Sequence, residues 1–197
     1  MSFILTLVRH GESEANVRHM LSGWLDVNLT DKGRRELEIL RNTVKYPASE
    51  IYFSSPLKRC IETSHILFPD AEPIVRDDFR EINFRSMEGW ILSSKEEIDA
   101  YFESWIADEP YIDEETISDV MARGSEAILR TVRECRDKGL HSATIVMHSG
   151  IMRSSVVALF NLDKSAFLEM SVPNGLGYIL EFDDDLNPQS YKKLGED

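Results

Sequence analysis

The sequence has few cysteines and no long hydrophobic run, and each shortage excludes a class of protein. Two cysteines, Cys60 and Cys135, are too few for a disulfide framework. Neither has an arginine at the sixth following position, as a Cys-x5-Arg phosphate loop requires, which argues against a thiol phosphatase. About six apolar residues precede Arg9, too few for a signal peptide or a membrane span. We therefore expect a soluble, cytoplasmic protein with no membrane partner.

Positive charge is also scarce, because 22 Lys and Arg residues face 35 Asp and Glu residues and leave a net charge of −13. A field of this sign repels nucleic acid, so we expect no nucleic-acid partner. A local cluster of arginines can still bind an anionic small molecule. His-x-His and clustered Asp/His spacings are missing, so we expect neither a metal nor another cofactor. The length suits one buried domain over 1–197.

Short β-rich runs recur along the chain and alternate with helical patterns. Several runs are nearly continuous apolar stretches, which is typical of strands covered on both faces. The runs are 3–8, 50–54, 73–76, 143–147 and 177–182. Thr30 is predicted to be the N-cap of one intervening helix, and Gly139 is predicted to end another. Strands that alternate with helices predict an α/β fold: a three-layer α/β/α sandwich whose mostly parallel sheet has helices on both faces.

The stretch 88–120 shows no strand pattern and is rich in acidic residues. It carries the aromatic residues Trp90, Tyr101, Phe102, Trp105 and Tyr111. One interpretation is a solvated, partly helical excursion. The other is a lid over a pocket, with the aromatic rings facing the substrate. Long insertions in compact α/β domains are often functional, so we favour a lid insertion at about 88–120.

Polar side chains follow four of the predicted strands at the point where each strand ends. In chain order they are Arg9, His10 and Asn16, then Arg59, then Arg80, Glu81 and Arg85, and finally His148 and Ser149. Parallel α/β sheets bind ligands outside the carboxyl ends of their strands. We therefore expect these groups to converge on one crevice.

This mixture of side chains suits phosphoryl transfer. Arginine forks match phosphate oxygens, a neutral histidine can attack phosphorus, and a second, protonated histidine can donate to the oxygens that gather charge. A nearby glutamate can protonate the leaving oxygen, and Gly11 lets the backbone pass close to the ligand. Taken singly, each residue has an ordinary structural explanation, such as a hydrogen-bonding histidine at a strand end. The joint pattern carries the hypothesis.

Several segments resemble, in order, the motifs of the histidine phosphatase superfamily, which has the phosphoglycerate mutase-like fold. "LVRHGESEAN" resembles its RHG signature, and "GWLDVNLTDKG" resembles its G-x-x-D-x-x-L-T-x-x-G segment. "SSPLKRCIET" is similar to S-P-L-x-R-x-x-x-T, and "REINFRSMEGW" to the R-E-x-x-F-G-x-x-E-G segment of its phosphatase branch. "VMHSGIMR" and "VPNG" match two later elements. The resemblance covers nearly the whole chain and points to the alpha-ribazole and broad-specificity phosphatases.

The resemblance implies a role for each matching residue. His10 would be the nucleophile that becomes a phosphohistidine. Arg9, Arg59 and His148 would hold the phosphoryl oxygens, and Glu81 would be the proton donor and later the base for water. Further substrate contacts are expected at Asn16, Ser22, Gly23, Arg85 and Ser149.

Two of these positions depart from the family pattern in a way that bears on the substrate. Arg85 and Ser149 stand where glycine is common. One hypothesis is that Arg85 reaches the non-reacting end of the substrate and favours a second anionic group. The other is that Arg85 is a surface residue paired with Glu88 or another local acid, which would contribute little.

The sequence therefore predicts a metal-independent phosphomonoester hydrolase that acts on small phosphorylated metabolites. A phosphoglycerate mutase-type phosphotransferase is the first alternative, although such mutases carry a longer insertion after the acid glutamate. A non-catalytic phospho-ligand binding module is the second, and its expected mark would be the loss of His10, Glu81 or His148. The physiological substrate and the oligomeric state, a homodimer included, stay open.

Overall fold

A six-stranded sheet forms the centre of the computed structural model, which describes residues 2–196. The strands are β1 (Phe3–Arg9), β2 (Ile51–Ser54), β3 (Ile74–Val75), β4 (Ser142–Met147), β5 (Gly177–Phe182) and β6 (Pro188–Lys193). They lie in the order β3-β2-β4-β1-β5-β6. The first four pair in parallel, whereas β5 runs antiparallel to β1 and β6 antiparallel to β5. The four parallel strands therefore end at one edge of the sheet.

Helices connect these strands. They are α1 (Glu14–Val17), α2 (Asp31–Thr43), α3 (Lys58–Leu67), α4 (Lys95–Ile106), α5 (Ile117–Asp137), α6 (Ser149–Leu159) and α7 (Ala166–Glu169), with 3₁₀ turns at Asp77–Phe79 and Arg85–Met87. As predicted, Thr30 caps α2, and its hydroxyl accepts from the Gly33 N–H at 2.9 Å. Between residues 2 and 196, no helix combines the length and apolar character that crossing a membrane needs.

Alternate residues of the central strands are buried in two hydrophobic cores on opposite faces of the sheet. Phe3, Leu5 and Leu7 of β1 belong to the core that includes residues of α5 and α6. Val8 belongs to the second core, with residues of α2 and α3. Since successive side chains of a strand point to opposite faces, this alternation places helices on both sides of the sheet. The predicted α/β/α architecture with a mostly parallel sheet is confirmed.

Strand β6 was missed by the sequence prediction. Its residues, "PQSYKK", are exposed at almost every position and show no apolar alternation. The strand is held at the sheet edge by its antiparallel pairing with β5, a place where polar side chains suit an exposed edge. Hydrophobic periodicity therefore carries no signal for it.

The structure does not confirm a lid at 88–120. The segment contains α4 and the first turn of α5, and its aromatic residues divide between the core and the surface. Tyr101 and Trp105 are only 1% exposed, whereas Trp90 and Tyr111 are exposed. For Tyr101 and Trp105 the expectation of rings facing a substrate was wrong, because both rings pack into the main core.

Candidate active site

The ends of β1, β2 and β4 bring three of the predicted catalytic side chains together. His10 directly follows β1, His148 directly follows β4, and Arg59 lies in the first turn of the helix after β2. The ring centroids of His10 and His148 are 5.2 Å apart. The Arg59 Nε donates to the His148 Nδ1 over 3.3 Å. These neighbouring strands thus build a cluster of two imidazoles and a guanidinium from residues far apart in the chain.

His10 presents a neutral ring with one free nitrogen. Its Nδ1 lies 2.7 Å from the Gly11 carbonyl oxygen. A carbonyl can only accept, so Nδ1 carries the proton and Nε2 keeps its lone pair. Burial, followed by the charges of Arg59 and Arg9, lowers the pKa of His10 well below its ordinary value. An unprotonated nitrogen is what nucleophilic attack requires.

His148 is neutral as well, but with its proton on the other nitrogen. Its Nδ1 accepts from Arg59, which can only donate, so the proton resides on Nε2 and points to the Ser55 hydroxyl at 2.8 Å. Burial, followed by the charge of Arg59, lowers the pKa of His148 well below its ordinary value. A buried ring beside cations resists a further positive charge, so His148 is neutral in the free protein; its donation to phosphoryl oxygens during transfer stays a prediction.

Arg59 is held in place by the loop that carries Gly23. Its Nη1 donates to the Leu25 carbonyl at 2.7 Å and its Nη2 to the Gly23 carbonyl at 2.8 Å. Gly23 has a φ of 38°, and a Cβ there would lie 2.6 Å from the Ile82 carbonyl oxygen. Gly23 therefore acts through Arg59, whose side chain it helps to bury.

Both carboxylate oxygens of Glu81 accept hydrogen bonds from backbone N–H groups. One oxygen accepts from Ile82 at 3.0 Å and Ile151 at 2.8 Å, and the other from Gly150 at 3.0 Å. Gly150 and Ile151 lie in the first turn of α6, where unpaired N–H groups and the helix dipole favour a negative charge. A Cβ at Gly150 would lie 2.5 Å from the Glu81 Oε1. Glycine there makes room for the carboxylate.

Sequence reasoning missed Arg123, which positions the loop around Glu81. Its guanidinium forms two hydrogen bonds of 2.9 and 2.8 Å with Glu115. It also donates to the carbonyls of Arg80 at 3.0 Å and Glu81 at 3.1 Å. Trp24 supports the same Glu81 carbonyl through its indole N–H at 2.8 Å. Arg123 lies on a helix far from Glu81 in sequence, so no local pattern identifies it.

A cavity of about 340 Å³ opens beside Glu81. Arg9, Glu81 and Ser149 line it, together with Phe102 and Arg153. The Arg9 Nη1 donates to the Val172 carbonyl at 2.6 Å. Its Nε is a buried donor without a partner among the described residues. The cavity therefore combines the first predicted phosphate ligand with the predicted acid.

Asn16 is connected to the predicted nucleophile, His10, by hydrogen bonds through Asn174. The Asn16 Oδ1 accepts from the Ser13 N–H at 3.0 Å and from the Asn174 amide at 3.4 Å. The same Asn174 amide donates to the His10 carbonyl at 2.9 Å. Asn16 thus belongs to the hydrogen-bond network behind His10.

Arg85 and Ser22 do not join the cluster. Arg85 is exposed, has a φ of 47°, and its side chain makes no hydrogen bond or ion pair with any described residue. Ser22 is partly buried, and neither residue lines the cavity beside Glu81. Glu88, the suggested partner of Arg85, instead accepts from the Trp24 backbone N–H at 2.6 Å. The structure thus leaves Arg85 without the local acid that we considered.

Gly11 makes room for a helix. A Cβ at this position would lie 2.6 Å from the Leu37 Cδ1 of α2, and its N–H donates to the Thr63 hydroxyl at 3.0 Å. The close approach of this backbone to a ligand stays a prediction. Across residues 2–196, no group of three or more His, Cys, Asp or Glu side chains is arranged to hold a metal ion.

Known proteins resemble this chain in sequence and in structure. The family model of the histidine phosphatase superfamily (branch 1) matches residues 5–190. The chain is 27% identical to a 2,3-bisphosphoglycerate-dependent phosphoglycerate mutase of Nocardioides sp., over 95% of this chain and 90% of the relative. Many further curated proteins match.

Two solved structures share the fold at lower identity. One is a mutant phosphoserine phosphatase from Entamoeba histolytica in complex with phosphoserine, with a TM-score of 0.79 and 21% identity over 98% of this chain and 97% of the other. The second is described as an alpha-ribazole-5'-P phosphatase from Escherichia coli K-12, with a TM-score of 0.80 and 19% identity over 98% and 96%.

Proposed function

The chain belongs to branch 1 of the histidine phosphatase superfamily, and we propose that it hydrolyses small phosphomonoesters through a phosphohistidine on His10. The family resemblance of the sequence is thereby confirmed. The observation that carries the proposal is the buried, neutral His10 ring with its Nε2 lone pair free beside Arg59 and His148. The Entamoeba phosphatase binds phosphoserine, which supports a small phosphorylated molecule as the substrate.

In the first step, the His10 Nε2 attacks phosphorus while Arg9 and Arg59 bind the phosphoryl oxygens. The P–N bond forms as the bond from phosphorus to the alcohol oxygen breaks, and that oxygen takes a proton from the acid form of Glu81. The Gly150 and Ile151 N–H groups are placed to bind the Glu81 carboxylate that remains.

In the second step, water attacks the phosphohistidine. The Glu81 carboxylate takes a proton from the water as the new P–O bond forms and the P–N bond breaks, which regenerates neutral His10. The Nδ1–H bond to the Gly11 carbonyl holds the ring in one orientation through both steps. The His148 Nε2–H, which faces the Ser55 hydroxyl in the free protein, is the proton that this ring can donate to a bound phosphate.

A phosphoglycerate mutase activity is the second candidate, and the curated relatives support it. Eight of them are phosphoglycerate mutases that are 25% to 28% identical to this chain. Their alignments run over 207 to 227 positions, whereas this chain has 197 residues. Each of those mutases therefore has residues that this chain lacks. Our preference for hydrolysis rests on the expectation that mutases carry their extra residues after the acid glutamate.

Phosphate release and phosphoglycerate isomerisation, measured on one preparation, test the two activities. We expect a panel of sugar phosphates, phosphoglycerates, nucleotides and phosphopeptides to show phosphate release from small metabolites with a chelator present throughout. We also expect an acid-labile phosphoryl label on the protein. Isomerisation faster than phosphate release would favour the mutase. Binding without release, isomerisation or labelling would leave only a non-catalytic module.

A further inference from the structure

Arg153 is a cation of the cavity beside Glu81 that has no carboxylate partner. It lies in the second turn of α6 and is half-buried. Its Nε donates to the Ser149 carbonyl at 3.3 Å and its Nη1 to the Phe167 carbonyl at 3.1 Å. Among the described residues, no Asp or Glu lies within ion-pair distance of it, and its Nη2 has no hydrogen-bond partner. The N–H groups of Nη2 are therefore available to bind a ligand.

The surroundings of Arg153 exclude water and supply no direct ion pair, and the Glu81 carboxylate attracts the guanidinium only from a distance. The guanidinium carbon lies 3.8 Å from the centroid of the Phe167 ring, and burial lowers the pKa of Arg153 to about 10. The group is still charged near neutral pH. Glu81 is the nearby acid, but both of its oxygens are bound to backbone N–H groups. A partly desolvated charge without a partner has a strong attraction for an anion that enters the cavity.

The cavity places this cation near Glu81 and Arg9, whereas His10 and His148 do not line it. Arg153 and Arg9 both line it, and Ser149 lies one helical turn before Arg153 on the same face of α6. Phe102 and Met170 contribute apolar wall. A volume of about 340 Å³ is near the lower end of the range for small-molecule sites, which suits a metabolite of a few carbons.

We propose that Arg153 binds a carboxylate on the part of the substrate that does not react, so that the favoured substrates are small phosphomonoesters that carry a carboxylate. This inference rests on the proposed phosphatase function and names its substrate class. It assigns to Arg153 the contact with a second anion that the sequence suggested for Arg85. Arg85 is exposed and does not line the cavity.

Matched substrates separate carboxylate binding from every other effect. Phosphoserine and phosphoethanolamine differ only in a carboxylate, and 3-phosphoglycerate and glycerol 3-phosphate differ in a carboxylate against a hydroxymethyl group. We expect the wild-type protein to prefer the carboxylate member of each pair in kcat/KM by about 10- to 100-fold, the strength of hydrogen bonds to a charged group.

Three variants locate the source of that preference. Arg153→Gln should abolish it, mainly by raising KM for the carboxylate substrates, and should leave the carboxylate-free substrates nearly unchanged. Arg153→Lys keeps the charge without the planar fork and should retain part of the preference. Arg85→Ala removes a charge outside the cavity and should retain all of it. Partial misfolding of a variant lowers kcat/KM equally for both substrates of a pair, so it leaves the ratio of the two kcat/KM values unchanged.

A wild-type protein that treats both members of each pair alike would overturn the inference, and so would equal losses for both members in Arg153→Gln. Loss of the preference in Arg85→Ala would transfer the role to Arg85 and would also overturn it. The proposed function fails separately, if none of the four compounds releases phosphate or labels the protein. Calorimetric binding of phosphoserine and phosphoethanolamine then decides the inference without turnover, since Arg153→Gln should weaken only phosphoserine.

Discussion

The centroids of the His10 and His148 imidazole rings lie 5.2 Å apart. Each ring is neutral and has one N–H group, on a different ring nitrogen in the two residues. His10 holds its proton on Nδ1 against the Gly11 carbonyl, and His148 holds its proton on Nε2 against the Ser55 hydroxyl. Arg59 gives the site a positive charge, whereas the two buried imidazole rings beside it stay neutral. Such a site attracts a phosphate and leaves a nucleophile unprotonated.

Replacement of His10 should abolish turnover and covalent labelling together. The free Nε2 of His10 is the proposed nucleophile, and no other side chain in the cluster presents an unprotonated nitrogen that is not already hydrogen-bonded. His10→Ala should therefore release no phosphate and take up no acid-labile label. His65→Ala, which changes an exposed histidine, serves as the control. A folded His10→Ala protein with full activity would exclude the phosphohistidine mechanism.

The buried histidines should make the protein less stable as the pH falls below about 6.5. In the unfolded chain a histidine binds a proton near pH 6.5, whereas burial lowers the pKa of His10 and His148 in the folded protein. The unfolded state then binds more protons, so stability is greatest above this pH and is lost as the pH falls. Each ring contributes a slope that approaches about 1.4 kcal/mol per pH unit.

Urea unfolding at several pH values between about 7 and about 5 measures that slope. His148→Gln should flatten it, whatever its own effect on stability, because one buried titrating ring is gone. His65→Gln, at an exposed position, should leave the slope unchanged. The same slope in all three proteins would mean that the buried rings do not control the acid sensitivity.

The effect of Glu81→Gln should depend on the leaving group. An alkoxide that leaves from an alkyl phosphate needs a proton, whereas the anion from p-nitrophenyl phosphate is stabilised by its ring. The variant should slow phosphoenzyme formation from alkyl phosphates by about 10²- to 10⁴-fold and from the aryl phosphate far less. Single-turnover rates on both substrates measure this step apart from dephosphorylation. Equal losses would assign Glu81 a role in positioning instead.

A methyl group at Gly150 should disturb the site through Glu81. Its Cβ would lie 2.5 Å from the Glu81 Oε1 and 2.5 Å from the Ile82 Cδ1, so the carboxylate must leave the first turn of α6. We expect Gly150→Ala to lower kcat for alkyl phosphates and, because Ile82 is buried, to lower thermal stability as well. Ser149→Ala, one residue earlier, tests whether any change in this turn has the same effect. Normal kcat in Gly150→Ala would show that Glu81 works without its contacts to this turn.

Local patterns in the sequence determined strands β1 to β5, several helix ends and the order of the motifs, but not the polar edge strand β6. The apolar runs at 3–8 and 143–147 lie within β1 and β4, and Thr30 caps its helix. Each of these features depends on residues that are neighbours in the chain, so periodicity and capping rules suffice to predict them. The carboxyl ends of the parallel strands then had to share one edge, which placed His10 near His148.

Only the tertiary structure decided which groups are charged and which face the cavity. Neutral His148, Tyr101 in the core, Leu37 beside Gly11 and Arg153 in the cavity wall all result from contacts between distant segments. Burial removes water from a titrating ring, and packing settles which face of a helix a side chain occupies. Both depend on residues that approach only when the chain has folded, so no stretch of sequence contains them.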